Sequence, residues 1–300
     1  MLSLLWIPAT LVAAAAQTAR NATQRRLVDS LGTAGATQVR FLYGLPFAGL
    51  FLVLVLAATG EALPRPGQGF AGFILLGAVS QILATGLMLA AMRERSFAVV
   101  TALIKTEPVQ VALFGLLVLH DRLSLPVVAA ILVATAGVLL VSGTKSLGEL
   151  AGADGRSVAL GIVSGACFAL ASIGFRGAIL SLESGSFLVR ATTVLAWGLG
   201  LQSLILGLWL GLRDRAALVG SLKVWRSSLT AGFLGAFASQ FWFIGFALTA
   251  AANVRTLALV EVLMAQAVSR KLFAQTTSRR EWAGLALIVG GVVLLLAAQT

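Results

Sequence analysis

Apolar residues run through this chain in long stretches, separated by short polar or charged connections. A helix needs about 20 predominantly apolar residues to cross the hydrocarbon core of a bilayer. The pattern predicts ten such helices, over approximately 3–27, 33–59, 69–92, 97–119, 125–143, 156–181, 185–212, 223–250, 254–273 and 279–298. Spanning β-strands are only about 9–11 residues long, so stretches of this length exclude a membrane barrel. The longest connection, about Gly143 to Gly155 (GTKSLGELAGADG), is Gly-rich, polar and mixed in charge. It divides the chain into a first five-helix half (1–145), a linker (146–155) and a second five-helix half (156–300). The first segment is read as a span rather than a cleaved signal peptide. It has no positive stretch before its apolar run, and Arg20, Arg25 and Arg26 follow it.

The halves repeat each other. Gly35–Arg40 (GATQVR) aligns with Gly185–Arg190 (GSFLVR) at an offset of 150, where Arg26 also meets Arg176. At 159, Ser80-Gln81 meets Ser239-Gln240 and Gly86 meets Gly245. At 154, Glu107 meets Glu261, Ser124 meets Ser278, and Gly137-Val138 meets Gly291-Val292. Several of these pairs are polar residues inside apolar stretches, which chance similarity of apolar sequence explains poorly. Because each copy has an odd number of spans, the second enters the membrane upside down. The predicted fold class is therefore an all-α integral membrane protein of ten transmembrane helices in two inverted five-helix repeats. Such halves are related by a pseudo-two-fold axis in the membrane plane, with a site near the midplane.

Composition agrees: 59% of residues are hydrophobic and 11% charged, against roughly 25% charged in soluble domains. Mean hydropathy is +0.97. The net charge of +11 would in a soluble protein suggest nucleic acid. Here it is read as loop charge that fixes topology and touches anionic membrane lipid, with no nucleic-acid partner. The connections after odd-numbered helices carry most of it: Arg20, Arg25, Arg26, Arg93, Arg95, Lys145, Arg156, Arg213, Arg215, Lys223, Arg226, Arg270, Lys271, Arg279 and Arg280. Those after even-numbered helices hold Arg65, Arg122 and Arg255, with Arg176 at a helix end. The bias switches between copies, since Leu116-Leu117 becomes Arg270-Lys271 at the matching position. By the positive-inside rule the odd connections are cytoplasmic and both termini face outward. Cys167 is the single cysteine and His120 the single histidine. No Cys-based metal site, phosphate loop or nucleophile–base set is present, so neither a cofactor nor an enzymatic activity is expected.

The chemistry lies inside the spans. Arg40 and Arg190 fall several residues into helices 2 and 7, Lys105 and Glu107 well inside helix 4, and Glu261 inside helix 9. Gln81 and Gln240 occupy helices 3 and 8, each beside a serine. An ionised side chain at mid-bilayer costs roughly 2.5–3.5 kcal/mol on insertion scales, and such groups face a cavity or a partner. The symmetric sets, Arg40 with Arg190 and Glu107 with Glu261, suggest two salt bridges, which either clamp the halves or line a site. Lys105 breaks the symmetry, because its repeat equivalent is Leu259. Pro108 follows closely and leaves the carbonyl near Ile104 without its helical donor. Lys105 is thus either a contact for a ligand's acidic group or the counter-ion of an acid such as Glu261. Trp242, near Gln240, either stacks on a ligand or fills a helix interface.

The run ALIKTEPVQVALFGLLVLHDRLSLPVVAAILVATAGVLLV (102–141) resembles the end of an EamA domain of the drug/metabolite transporter (DMT) superfamily. The helix-4 proline, the short charged turn before LS and the closing AGVLLV carry the resemblance, and Arg40-Phe41 fits the family's Arg-Phe. The second copy, 251–296, repeats the pattern, with departures: Val262 stands at the place of Pro108, and no Arg-Phe follows Arg190. The first helix has AQTARNATQRR where many relatives carry a tryptophan motif. The resemblance implies an alternating-access carrier of small solutes with a central cavity, in a bacterial-type inner (plasma) membrane. It also implies cytoplasmic termini, against the charge count. Counting Arg40, Lys105, Arg190, Glu107 and Glu261 leaves the cavity net positive. The expected solutes are then small polar metabolites such as amino acids or related carboxylates, bound by Lys105, Glu107, Arg40, Arg190, Gln81, Gln240, Trp242 and Glu261. Glu107 or Glu261 could carry a coupling proton, with facilitated exchange the other course. Two further functions fit: export of hydrophobic cations or drugs, and a non-transporting lipid-handling or assembly role.

Overall fold

The computed structural model describes residues 4–94, 100, 103–151, 155–264 and 278–299. Among these every regular element is a helix, and β-type pairing is limited to an isolated bridge between Pro66 and Leu182. Helix α1 (Trp6–Leu42) is two helices joined end to end at Gly32, where φ is 67° and ψ 179°. Glycine alone adopts that conformation without strain, so the first two expected segments meet there without an intervening loop. After a break at Tyr43-Gly44, α2 (Leu45–Thr59) continues to the left-handed Gly60.

Helix α3 spans Phe70–Glu94. Helix α4 (Glu107–Phe114) runs into a wider π-type turn, Gly115–Leu119, and stops at His120, itself left-handed with φ 56°. Helices α5 (Leu125–Ala151) and α6 (Gly155–Leu180) follow. Helix α7 (Phe187–Arg213) is capped by Ser186, whose side chain accepts from the Val189 N–H. Helix α8 (Arg215–Lys223) is capped by Asp214. Then come α9 (Trp225–Leu248), α10 (Ala251–Leu257) and α11 (Arg279–Ala297), the last opened by a reciprocal Ser278–Glu281 capping box.

Among the described residues six helical stretches are long and apolar enough to cross a membrane: Leu31–Thr59, Phe70–Ala91, Ala159–Leu180, Phe187–Arg213, Ser228–Leu248 and Arg279–Ala297. Glu107–Leu119 and Leu125–Val141 are shorter apolar helices. The chain is a multi-pass membrane protein.

Three boundaries differ from the sequence pattern. The connection after the seventh expected span holds α8, nine residues long. The expected linker, 146–155, is helical as far as Ala151, because Lys, Leu, Glu and Ala in KSLGELA favour helix. The ninth expected span begins earlier, at Ala251. Its residues 265–273 lie outside the described residues, as do 97–99 and 101–102 of the fourth.

Helices in lipid gain little from apolar burial against each other, so close packing through small residues holds them. Helix α3 lies along α6, with Gly77 against Gly174; a Cβ added to Gly174 would sit 2.4 Å from the Gly77 nitrogen. Helix α5 meets α11 the same way, since a Cβ on Gly137 would lie 2.7 Å from the Gly284 carbonyl oxygen. Helix α1 packs on α9, and α2 on α7. All four pairings join the first half of the chain to the second.

One end of the bundle is stitched across the halves by backbone bonds. The Gly67 N–H donates to the Ser181 carbonyl at 2.8 Å, and Glu183 N–H to the Arg65 carbonyl at 3.1 Å. Glu61 Oε2 accepts from the Ser186 N–H at 2.6 Å.

Candidate functional site

The site is built around two interrupted helices, one from each half. In the first, Lys105 and Thr106 form a turn ahead of α4. Pro108 lies in the first turn of α4, where its missing N–H has no helical partner to lose. The Thr106 N–H and hydroxyl both donate to the Leu103 carbonyl, at 3.3 and 2.8 Å. Glu107 therefore opens α4, at the positive end of the helix dipole. In the second half α10 ends at Leu257, and Ala258-Leu259 form the turn. Short-range bonds tighten the chain there: Leu259 N–H to Thr256 O at 3.1 Å and Glu261 N–H to Ala258 O at 3.0 Å. The second break needs no proline, since Val262 stands at the place of Pro108.

These breaks bring four charged groups into crossed pairs. Lys105 Nζ is ion-paired with Glu261 Oε1. Arg255 Nε lies 3.0 Å from Glu107 Oε1. The cation of each half thus meets the acid of the other. Ser172 sits beside the second pair: its hydroxyl accepts from Arg255 Nε at 3.0 Å and lies 3.4 Å from Glu107 Oε1. The Arg255 guanidinium is 4.6 Å from the Trp242 ring centroid and 5.4 Å from that of Phe246, within cation–π range. Trp242, buried, donates its indole N–H to Gln17 Oε1 at 3.1 Å. The four charged side chains are 10–12% exposed, so little water screens them.

The salt bridges expected from the symmetric sets take other partners. Among the described residues neither Arg40 nor Arg190 pairs with Glu107 or Glu261. Arg40 is turned toward α3, donating from Nη1 to Thr85 Oγ1 at 2.9 Å. Arg190, one turn into α7, is half-buried, and its Nε has no hydrogen-bond partner among the described residues. Arg255 takes the expected role of Arg40 or Arg190. The sequence pattern assigns it to a connection, whereas it is a buried residue of α10. Its signal was present: a lone arginine in the apolar run NVRTLALV, shortly before a span glutamate, as Lys105 precedes Glu107.

The glutamines bond elsewhere. Gln81 Oε1 accepts from Gln202 Nε2 at 2.7 Å, and Gln240 Nε2 donates to Thr192 Oγ1 at 2.8 Å. Lys105 has the acid expected if it is a counter-ion. At the stitched end a further pair crosses the halves: Arg176 reaches both Asp121 oxygens at 3.3 Å. Its Nη1 also donates to the Phe246 carbonyl at 2.6 Å and to that of Thr249, capping the end of α9. Among the described residues no group of three His, Cys, Asp or Glu side chains that could hold a metal comes together.

Comparison with known proteins adds the following. Residues 4–143 match the EamA-like transporter family. No curated protein matches the chain in sequence. A solved structure described as "Crystal structure of protein" superposes with a TM-score of 0.67, covering 98% of this chain and 95% of that one at 16% identity. At that identity the likeness is one of fold.

Proposed function

We propose, for a chain whose residues 4–143 match the EamA-like transporter family of the DMT superfamily, a secondary carrier working by alternating access. It moves small polar metabolites, amino acids or related carboxylates, across a bacterial-type inner membrane. Its ten spans form two inverted repeats, and the substrate binds between them.

The observation that carries this reading is the crossed arrangement of Lys105–Glu261 and Arg255–Glu107. Buried ion pairs are poor stabilisers, since desolvation offsets their attraction, and apolar residues of similar volume commonly do as well or better. A bundle selected for stability alone gains little from two of them. A carrier has a use for them: charges that exchange partners with a solute, on interrupted helices whose free backbone groups can also bind it. The packing supports the repeat. Exchanging the halves turns the α3–α6 pairing into α9–α1, and turns α2–α7 and α5–α11 into themselves.

In this reading Lys105, Glu107, Arg255 and Glu261 contact the solute. Arg40, Trp242, Gln81, Gln240 and Arg190 shape its surroundings, and the two glutamates are the candidates for a coupling proton. The test is counterflow in proteoliposomes. Saturable uptake of a labelled amino acid or carboxylate, accelerated by the same solute inside, is the expected result. No accelerated flux for any solute that stabilises the purified protein would end the carrier reading in favour of a non-transporting role.

A further inference from the structure

Among the described residues the interior charges do not all find an opposite partner. Lys105 and Arg255 each have an acid, whereas Arg40 has none among the described residues. It is 4% exposed. Its described contacts are the Thr85 hydroxyl, 2.9 Å from Nη1, and the neighbouring Phe41 ring, 5.3 Å from the guanidinium carbon. The Thr85 hydroxyl donates its own proton to the Gln81 carbonyl at 2.8 Å, so it offers Arg40 a neutral oxygen only. Arg20 and Arg255, both of its own sign, act on Arg40 as well. A guanidinium stays protonated and has five N–H donors in a fork that fits a carboxylate. The wall beside it is Gly235 of α9: a Cβ placed there would be 3.6 Å from Arg40 Cγ and 3.6 Å from Arg20 Cδ.

We infer that Arg40 holds a carboxylate of the transported solute, and that the solute is a small organic anion rather than a zwitterion or a cation. The inference rests on the carrier reading and narrows its substrate. An anion supplies the negative charge that Arg40 lacks among the described residues. A zwitterion held at Arg40 would need an acid close by for its ammonium group, and among the described residues no acid pairs with Arg40. Charge-assisted hydrogen bonds to a planar anion are the strong kind, and losing one weakens binding about ten- to hundredfold.

The experiment is thermal stabilisation of the purified full-length protein by succinate, glutarate, glycine, glutamine, succinamide and tetraphenylphosphonium. Succinate or glutarate should raise the melting temperature of the wild type and of Arg213→Gln. Succinamide, of similar shape without charge, should not. In Arg40→Gln the carboxylate affinity should fall about ten- to hundredfold, and the response to glycine should stay flat. Should Arg40→Gln fail to fold, the succinate–succinamide contrast on the wild type decides by itself. Equal response to the two, stabilisation by glycine, glutamine or the phosphonium ion instead, or no response to any of the six overturns the anion assignment. Counterflow keeps the two readings apart. Saturable counterflow of a zwitterion or cation retains the carrier and removes the anion. Arg40-dependent stabilisation by succinate without counterflow retains the anion site and removes the carrier.

Discussion

Lys105→Met would leave the Glu261 carboxylate buried without its cation, and breaking a buried pair in this way costs about 3–5 kcal/mol. The single variant should melt well below the wild type. Adding Glu261→Gln should recover most of the loss, whereas adding Glu107→Gln should not, because Glu107 faces Arg255. Melting temperatures of the four proteins decide it: recovery with Glu107→Gln instead would mean the pairs are not crossed. Arg213, exposed at the end of α7, should tolerate replacement by Ala with little change. At this scale the sequence was partly legible. Lys105 stood out because its repeat equivalent is apolar, and Glu261 was a named partner for it. Arg255 did not, because AANVR, directly after the expected end of a span at 250, reads as connection. Spacing along one helix also carries no information about which other helix its residues face, so the crossing of the pairs had no signature in sequence.

Glycine contacts offer a sharp test of the helix packing. Gly174→Ala would place a Cβ 2.4 Å from the Gly77 nitrogen. Backbone cannot move aside cheaply, so α3 and α6 must separate, and overpacking of this kind costs about 1–3 kcal/mol. Gly72→Ala, on α3, has nothing within 4 Å of the new methyl group. Removing a helical glycine there should be neutral or stabilise by about 0.5–1 kcal/mol. Comparing the two melting temperatures tests the close approach rather than glycine content; equal effects would refute it. The helix breaks make a second test. Because the second half turns at Ala258-Leu259 without a proline, Pro108→Val should still fold and keep the Glu107–Arg255 pair. Loss of folding would show that proline is needed to form the first break. Most elements were legible from apolar length alone. The exceptions have physical causes: α8 is too short to show a period inside a charged connection, and the fusion of the first two segments at Gly32 depends on a backbone angle.

For the molecule as a whole, the stitched end can be probed by pH. Hydrogen bonds from Ser186, through its side chain and its backbone N–H, hold the Glu61 carboxyl below its ordinary 4.5. A carboxyl whose pKa falls on folding stabilises the fold above its unfolded value, and that contribution is lost as pH drops through the folded one. The melting-temperature gap between the wild type and Glu61→Gln should be present near about pH 7 and shrink progressively below about pH 4.5. A gap that does not change over that range would mean Glu61 does not hold the loops together. The general plan of apolar helices was legible because membrane length constrains sequence so strongly. How the two halves interleave was not, since it depends on contacts between residues far apart in the chain.

That interleaving reaches beyond stability. The pairings of α3 with α6, α1 with α9, α2 with α7 and α5 with α11, and both crossed ion pairs, join residues before Ala151 to residues after Gly155. The peptide bonds between those two points therefore keep the halves equal in number more than they hold them together. Two genes, one ending near Ala151 and the other starting near Gly155, should yield fragments that find each other in the bilayer and assemble as an obligate heterodimer. Either fragment made alone would offer the lipid a glutamate without its cation, and the cell's quality control should remove it.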